Sequence, residues 1–135
     1  MIHPTEAIVI QRVVARAFGD PVGVRDMRAL EAALARPFAL KNGIPAYPTF
    51  LNKASVLFQG LLMAKPFAGA NRRTSLCILA LVLQSKGYRL DVTAGDLGKM
   101  LPAIELGFAS WHRVTVWLKG RVRRVAPGQG AGERA

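Results

Sequence analysis

Two long apolar segments separated by a short loop constrain the fold more than any other feature of this sequence. The first begins near Pro48 and runs to about Ala64, and its apolar residues are too numerous for one narrow stripe. The second begins at Asn71 and continues to Lys86, before Gly87 supplies a left-handed stop. Helices that are apolar on most of their surface are buried, so the sequence predicts a central pair of helices packed in the core.

Capping residues and helix breakers predict four further helices. Asp26 and Ser110 each suit a helix cap, and Thr93 with Asp96 three residues later resembles a capping box. Apolar residues then follow at helical spacing until a glycine or proline ends each segment. The four predicted helices cover residues 4–17, 27–35, 93–108 and 111–119.

A turn-rich segment precedes the first central helix. Residues 38–47 contain Asn42-Gly43 and Pro45, which are typical of a loop or short hairpin, and we interpret this segment as a flap. The sequence therefore predicts an all-α domain of about six helices, with a short flap or hairpin before the central helix. We place this domain in residues 1–120 and interpret residues 121–135, which are basic and rich in glycine, as a disordered tail.

Length and hydropathy place the chain among single-domain proteins. Its 135 residues, of which 51% are hydrophobic, are enough to bury one core. We find no apolar run long enough to span a bilayer and no secretory signal, and therefore expect a cytoplasmic protein with no membrane segment. Cys77, the single cysteine, lies in the apolar run 76–83 and is expected to be buried.

The charge of the chain indicates an anionic partner. Nineteen Lys and Arg residues against eight Asp and Glu residues give a formal net charge of +11. A nucleotide, a nucleic acid, an acidic protein segment and a membrane surface all satisfy this charge, and net charge alone does not rank them.

The loop between the two central helices is the candidate functional site. The small residues 68–70 lead into a helix start at Asn71, which is followed by Arg72 and Arg73, and Lys65 adds a cation at the entrance. The first N–H groups of a helix lack internal partners and carry partial positive charge, so they bind phosphate. Gly69 lets a phosphate approach the backbone, and Asn71 either caps the helix or bonds a ligand oxygen. The alternative is a solvated basic helix start after an ordinary loop.

The same segment, Lys65 to Thr74, resembles the signature of the Fic/Doc family, His-x-Phe-x-Asp/Glu-Gly/Ala-Asn-Gly/Lys-Arg. Flanking segments 30–37, 47–50 and 74–88 also agree in order, and the resemblance covers roughly residues 24–118. The matching residues are Phe67 at the aromatic anchor, Ala70 and Asn71 at the helix start, Arg72 where Doc-like members have lysine, and Arg73 at the arginine.

The resemblance implies transfer of part of ATP, or of another nucleoside triphosphate, to a protein hydroxyl. Fic members typically transfer AMP, whereas Doc transfers a phosphate to the elongation factor Tu and halts translation. In the family the motif histidine acts as the base, an acidic residue holds magnesium, and the helix start binds phosphates. Doc-type proteins are usually toxins restrained by a small antitoxin, so an acidic antitoxin and a translation-factor target are the implied partners. The implied nucleotide-binding residues here are Gly69, Ala70, Asn71, Arg72 and Arg73.

Two positions depart from the family signature. Lys65 replaces the histidine and Gly69 replaces the acidic residue. A lysine with its ordinary pKa of about 10.4 is a poor base at pH 7, and loss of a general base commonly removes about 10² to 10⁴ in rate. We therefore expect impaired transferase activity, with Lys65 as the candidate catalytic residue and no firm magnesium site.

One hypothesis is that the Lys65 ammonium replaces the metal in neutralising phosphate charge. The rival interpretation is a non-catalytic basic module that binds RNA, the ribosome or an acidic protein.

The remaining polar and aromatic candidates indicate no second site. His3 and His112 lack partners at metal-ligand spacing. Asp96 and Glu105 are expected to be surface groups. An apolar stripe at helical spacing is interpreted as core packing, with a partner-binding face as the alternative; it consists of Trp111, Val114, Trp117 and Leu118.

Overall fold

The computed structural model describes residues 1–125, which form a mainly helical fold with two small strand pairs. The six helices are α1 (Pro4–Phe18), α2 (Met27–Ala35), α3 (Phe50–Ala64), α4 (Asn71–Ser85), α5 (Ala94–Glu105) and α6 (Trp111–Lys119). The four strands are β1 (Leu40–Lys41), β2 (Ile44–Pro45), β3 (Tyr88–Leu90) and β4 (Val122–Arg124), and a 3₁₀ turn covers Arg36–Phe38. The helical fold class and the six helices predicted from the sequence are confirmed.

Helix α3 lies at the centre of the molecule. It packs against α2, α4, α5 and α6, and its side chains from Ala54 to Gln59 are all buried. Phe58, Leu61 and Leu62 have no exposed surface, as the breadth of their apolar pattern indicated. The predicted central pair α3 and α4 is therefore confirmed, and the loop between these helices is fixed at both ends by the core.

Two helix boundaries differ from the prediction for local reasons. Helix α3 begins two residues after Pro48, because Thr49 caps it and exchanges hydrogen bonds of 3.0 and 3.3 Å with Asn52. Helix α5 ends at Glu105 instead of continuing to 108, because Gly107 adopts φ 82° and turns the chain.

The predicted flap is a two-stranded hairpin. Strands β1 and β2 pair antiparallel across Asn42 and Gly43, which have φ values of 54° and 76°. Positive φ at both central residues is the requirement of a tight hairpin turn, and Asn-Gly meets it. Leu40 and Ile44 are exposed on this hairpin.

A second strand pair was missed. Strand β3 pairs antiparallel with β4, so residues 121–125 belong to the fold and not to the predicted tail. The hydrogen bonds from Asp91 N to Arg121 O and from Val125 N to Gly87 O extend this ladder at both ends. The rest of the predicted tail, 126–135, lies outside the described residues.

Two further expectations concern exposure. Cys77 is exposed, so its predicted burial is wrong; it lies on α4 between the exposed residues Arg73 and Leu81, at the i, i+4 spacing of one helix face. Val114, Trp117 and Leu118 are buried, which confirms core packing for three residues of the α6 stripe, whereas Trp111 is half-buried. No helix within residues 1–125 is long and apolar enough to cross a membrane.

Candidate functional site

The loop 65–70 joins the end of α3 to the start of α4 through two left-handed residues. Lys65 ends α3 with φ 45°, and Ala70 precedes α4 with φ 58°. Left-handed backbone costs a residue with a Cβ roughly 1–2 kcal/mol, so surrounding contacts must hold both residues in place. The shape of the loop is therefore imposed by its neighbours.

The chain segment before α2 supplies most of those contacts. The Pro66 carbonyl accepts hydrogen bonds from the backbone N–H groups of Arg25 and Asp26, at 2.7 and 3.0 Å. Ala68 N donates to Gly23 O at 2.9 Å, and Val24 forms a β-bridge with Phe67. The loop is thus paired with residues 23–26 as in a short antiparallel ribbon.

Gln11, on α1, is hydrogen-bonded both to the loop 65–70 and to the segment before α2. It is only 1% exposed, and its Nε2 donates to Pro21 O at 3.0 Å and to Gly69 O at 3.1 Å. Its Oε1 accepts from Gly23 N at 3.0 Å. Because all three bonds go to backbone groups, this one buried amide fixes the position of Gly69 relative to residues 21–23. Sequence reasoning did not find Gln11, whose only signal was a polar residue at an apolar position of α1.

Asn71 and Phe67 connect the loop to α4. Phe67 is buried, and the Asn71 side chain accepts from Phe67 N at 3.0 Å and donates to Phe67 O at 3.1 Å. Asn71 therefore neither caps its helix nor presents a free amide; it holds the loop. The first i→i−4 hydrogen bond of α4 is donated by Thr74 N to the carbonyl of Ala70, at 2.9 Å.

The start of α4 leaves backbone donors available. Within residues 1–125, the N–H groups of residues 69–73 donate to no protein acceptor, and the residue that precedes the helix provides no side-chain cap. Gly69, Ala70 and Asn71 are half-buried. This arrangement has the donors and the partial positive charge that an anion needs.

Arg72 does not point freely into this site. Its Nε and a terminal nitrogen donate to the two carboxylate oxygens of Glu105 at 2.8 and 2.5 Å. These hydrogen bonds hold the pKa of Glu105 below its usual range, and the nearby charge of Lys65 acts in the same direction. The Glu105 side chain is 11% exposed and is paired with Arg72, so it is not the free surface group that the sequence predicted.

Arg73 is also engaged. Its guanidinium lies 3.7 Å from the carboxylate of Asp20 and stacks on the Phe18 ring, with Cζ 3.9 Å from the ring centroid. Both arginines nevertheless keep more than half of their side-chain surface exposed, 54% for Arg72 and 56% for Arg73. Each guanidinium is therefore held by a carboxylate on one side and open to solvent on the other.

Lys65 is exposed, and its backbone rather than its side chain is fixed. The Lys65 carbonyl accepts two hydrogen bonds from the Arg25 guanidinium, at 3.1 and 2.5 Å, and Arg25 also donates to Ala64 O at 2.9 Å. Arg25 therefore caps the carboxyl end of α3, a role that the sequence did not reveal.

Comparison with known proteins identifies the family of this site. A sequence model of the Fic/DOC family matches residues 2–83, more than half of the chain. The chain belongs to the Fic/DOC family. It is 38% identical over 74 residues to Toxin Doc from Mycolicibacterium smegmatis (strain ATCC 700084 / mc(2)155), a match that covers 55% of this chain and 57% of that protein. The aligned part thus spans little more than half the length of this relative.

Membership in the Fic/DOC family confirms the resemblance read from the sequence. The matched residues contain the whole loop 65–70 and the start of α4. They begin earlier than the expected range of roughly 24–118 and include α1, which carries Gln11, but they end at residue 83 and do not cover α5 and α6. Among the described residues, no group of three His, Cys, Asp or Glu side chains is arranged to hold a metal ion.

Proposed function

We propose that this protein is a Doc-like toxin whose site at the start of α4 binds the phosphates of ATP or of another nucleoside triphosphate. The observation that carries the proposal is the set of available N–H groups of residues 69–73 on a loop of fixed shape. The likeness to Toxin Doc supports the toxin assignment. The predicted binding residues Gly69 to Arg73 all lie at this helix start.

The family reaction transfers AMP or phosphate from ATP to a protein hydroxyl, and we propose that it is impaired here. The hydroxyl oxygen attacks phosphorus, its proton must be taken up, and pyrophosphate leaves in AMP transfer or ADP leaves in phosphate transfer. Lys65 stands where the family has its base, and a charged ammonium takes up no proton. A loss of about 10² to 10⁴ in rate follows from the missing base alone. Which group is transferred depends on the pose of the triphosphate.

An acidic antitoxin segment is the partner that fits the charge of the chain. The net charge is +11, and internal partners engage many of the few carboxylates: Asp20, Asp91, Asp96 and Glu105 form ion pairs, and Asp26 caps α2. An acidic peptide would therefore find mostly unopposed cations and would associate quickly at low salt. The translation-factor target remains part of the same proposal.

Titration calorimetry with ATP tests the proposed site. Asn71→Ala removes both hydrogen bonds to Phe67 and releases the loop, so we expect affinity for ATP to fall at least about tenfold. Asn52→Ala is the matched control, because Asn52 also lies at a helix start and bonds its preceding loop, but on α3. Absence of ATP binding in the unmodified protein, or equal losses in both variants, would refute the proposal.

A second candidate function, binding of RNA phosphates, is favoured by the strand pair β3–β4. Arg89 lies directly opposite Arg123 in this ladder, and both residues are exposed. Asp91 pairs with Arg123 at 3.4 Å, so one of these two like charges is left for an external anion. An RNA-binding module would lose affinity steeply with salt and tolerate Asn71→Ala, whereas Arg89→Ser with Arg123→Ser would weaken it. A nucleotide site makes the opposite predictions for both variants.

A further inference from the structure

The position of the family's acidic residue is closed to any side chain in this protein. A Cβ built on Gly69 would lie 2.6 Å from Cδ of Pro21, and 3.1 Å from the backbone N and O of the same residue. Carbon atoms that are not bonded do not approach to 2.6 Å, because optimal separation is about 3.5–4.0 Å. An aspartate or glutamate at position 69 therefore requires Pro21 to move.

Pro21 is poorly able to move. Its Cδ belongs to a ring closed on the backbone, so no side-chain rotation removes it. Its carbonyl accepts a hydrogen bond from Gln11, and Gly23 two residues later is bonded both to Gln11 and to Ala68. Displacing Pro21 would break these hydrogen bonds and would leave buried polar groups of α1 and of the loop without partners.

Among residues 1–125, no other carboxylate near the loop replaces the missing one. Glu105 is hydrogen-bonded to Arg72, whereas the buried Oδ2 of Asp20 has no hydrogen-bond partner among the described residues and lies 3.7 Å from the Arg73 guanidinium. A metal ion bound at either carboxylate would lie beside a guanidinium, whose like charge opposes it. A protein-bound magnesium ion therefore does not fit the site formed by the described residues.

We propose that Pro21 excludes a metal-ligating side chain from position 69, so that the loop binds phosphates through backbone N–H groups and cationic side chains without protein-bound magnesium. The inference rests on the proposed phosphate site. In this proposal the amides of residues 69–73 and Lys65 neutralise the phosphate charge, as a metal ion does in other members of the family.

Melting temperatures test the exclusion without any ligand. Gly69→Ala adds only the Cβ, and we expect the melting temperature to fall by about 4 to 12 °C through overpacking. Pro21→Ala removes the ring, and the double variant should recover at least half of that loss. Gly98→Ala is the control, because a Cβ there meets nothing within 4 Å. An unchanged melting temperature for Gly69→Ala, or no recovery in the double variant, would overturn the exclusion.

Calorimetry of the full chain with ATP, in magnesium and then in excess EDTA, tests the consequence. We expect the dissociation constants for ATP in EDTA and in magnesium to agree within about twofold, since the loop 65–70 itself carries no carboxylate for the metal. A loss of about tenfold or more in EDTA would overturn metal-independent binding. No binding under either condition would instead refute the proposed function, and the melting temperatures would still decide the exclusion at position 69.

Discussion

The ion pair between Arg72 and Glu105 provides the sharpest test of how this site binds phosphate. An incoming phosphate must share Arg72 with a carboxylate that holds it through two hydrogen bonds of 2.8 and 2.5 Å. Glu105→Gln keeps the size of the side chain but removes its charge, so the guanidinium becomes available. We therefore expect Glu105→Gln to bind ATP more tightly than the unmodified protein.

The expected magnitude follows from the exposure of the pair. A charge-assisted bidentate pair is worth about 1.5–3 kcal/mol when shielded, but the Arg72 side chain is 54% exposed and solvent reduces this to about 1 kcal/mol. Release of that amount corresponds to about fivefold in the dissociation constant. The same change should lower the melting temperature by about 3 to 5 °C.

Calorimetry with ATP at low ionic strength measures the affinity, and thermal unfolding measures the stability. Asp96→Asn is the matched control, because Asp96 also lies on α5 and pairs with an arginine, Arg121, at 3.1 Å. The control should lose stability without a gain in affinity. Unchanged or weaker ATP binding in Glu105→Gln would show that Arg72 does not contact the phosphates.

Three further predictions address the pH dependence, the buried amide and the family activity. The pKa of Glu105 is lowered in the folded state, so its ion pair should contribute its full stability above about pH 5 and lose it as pH falls through that lowered pKa. The difference in melting temperature between the unmodified protein and Glu105→Gln, measured from pH 7 to pH 3, should shrink accordingly. Gln11→Leu leaves three backbone groups unpaired and should cost about 2–4 kcal/mol in chemical unfolding. Lys65→His with Gly69→Asp should restore transfer of label from ATP to a protein only when Pro21→Ala is added, as scored by autoradiography; equal recovery without that third change would contradict the clash.

Local signals made much of this fold predictable. Helices α2 and α6 have the predicted bounds because Asp26 and Ser110 each accept a hydrogen bond from the N–H three residues later. The hairpin follows from Asn42-Gly43, whose positive φ values are a property of two adjacent residues. In each case, residues within a few positions of one another in the sequence determine the local structure.

What escaped prediction depends on partners distant in sequence. Strand β4 has only three residues, two of them arginines, and becomes a strand because β3 lies beside it. The same holds at the site, where Glu105 meets Arg72 from 33 residues away and Gln11 meets Gly69 from 58 residues away. Such contacts require the helices to be assembled first.

One physical explanation accounts for both departures from the family signature, Gly69 and Lys65. With Gly69 in place of a carboxylate, residues 21–23 can approach the loop closely, and Gln11 then bonds both segments at once. A phosphate bound there would lack a counter-charge from a held metal ion, and an ammonium at position 65 is a substitute that needs no carboxylate. Restoring the histidine by itself would therefore remove a cation from a site that has lost its metal ligand. We infer that activity cannot be recovered at position 65 without also reopening position 69.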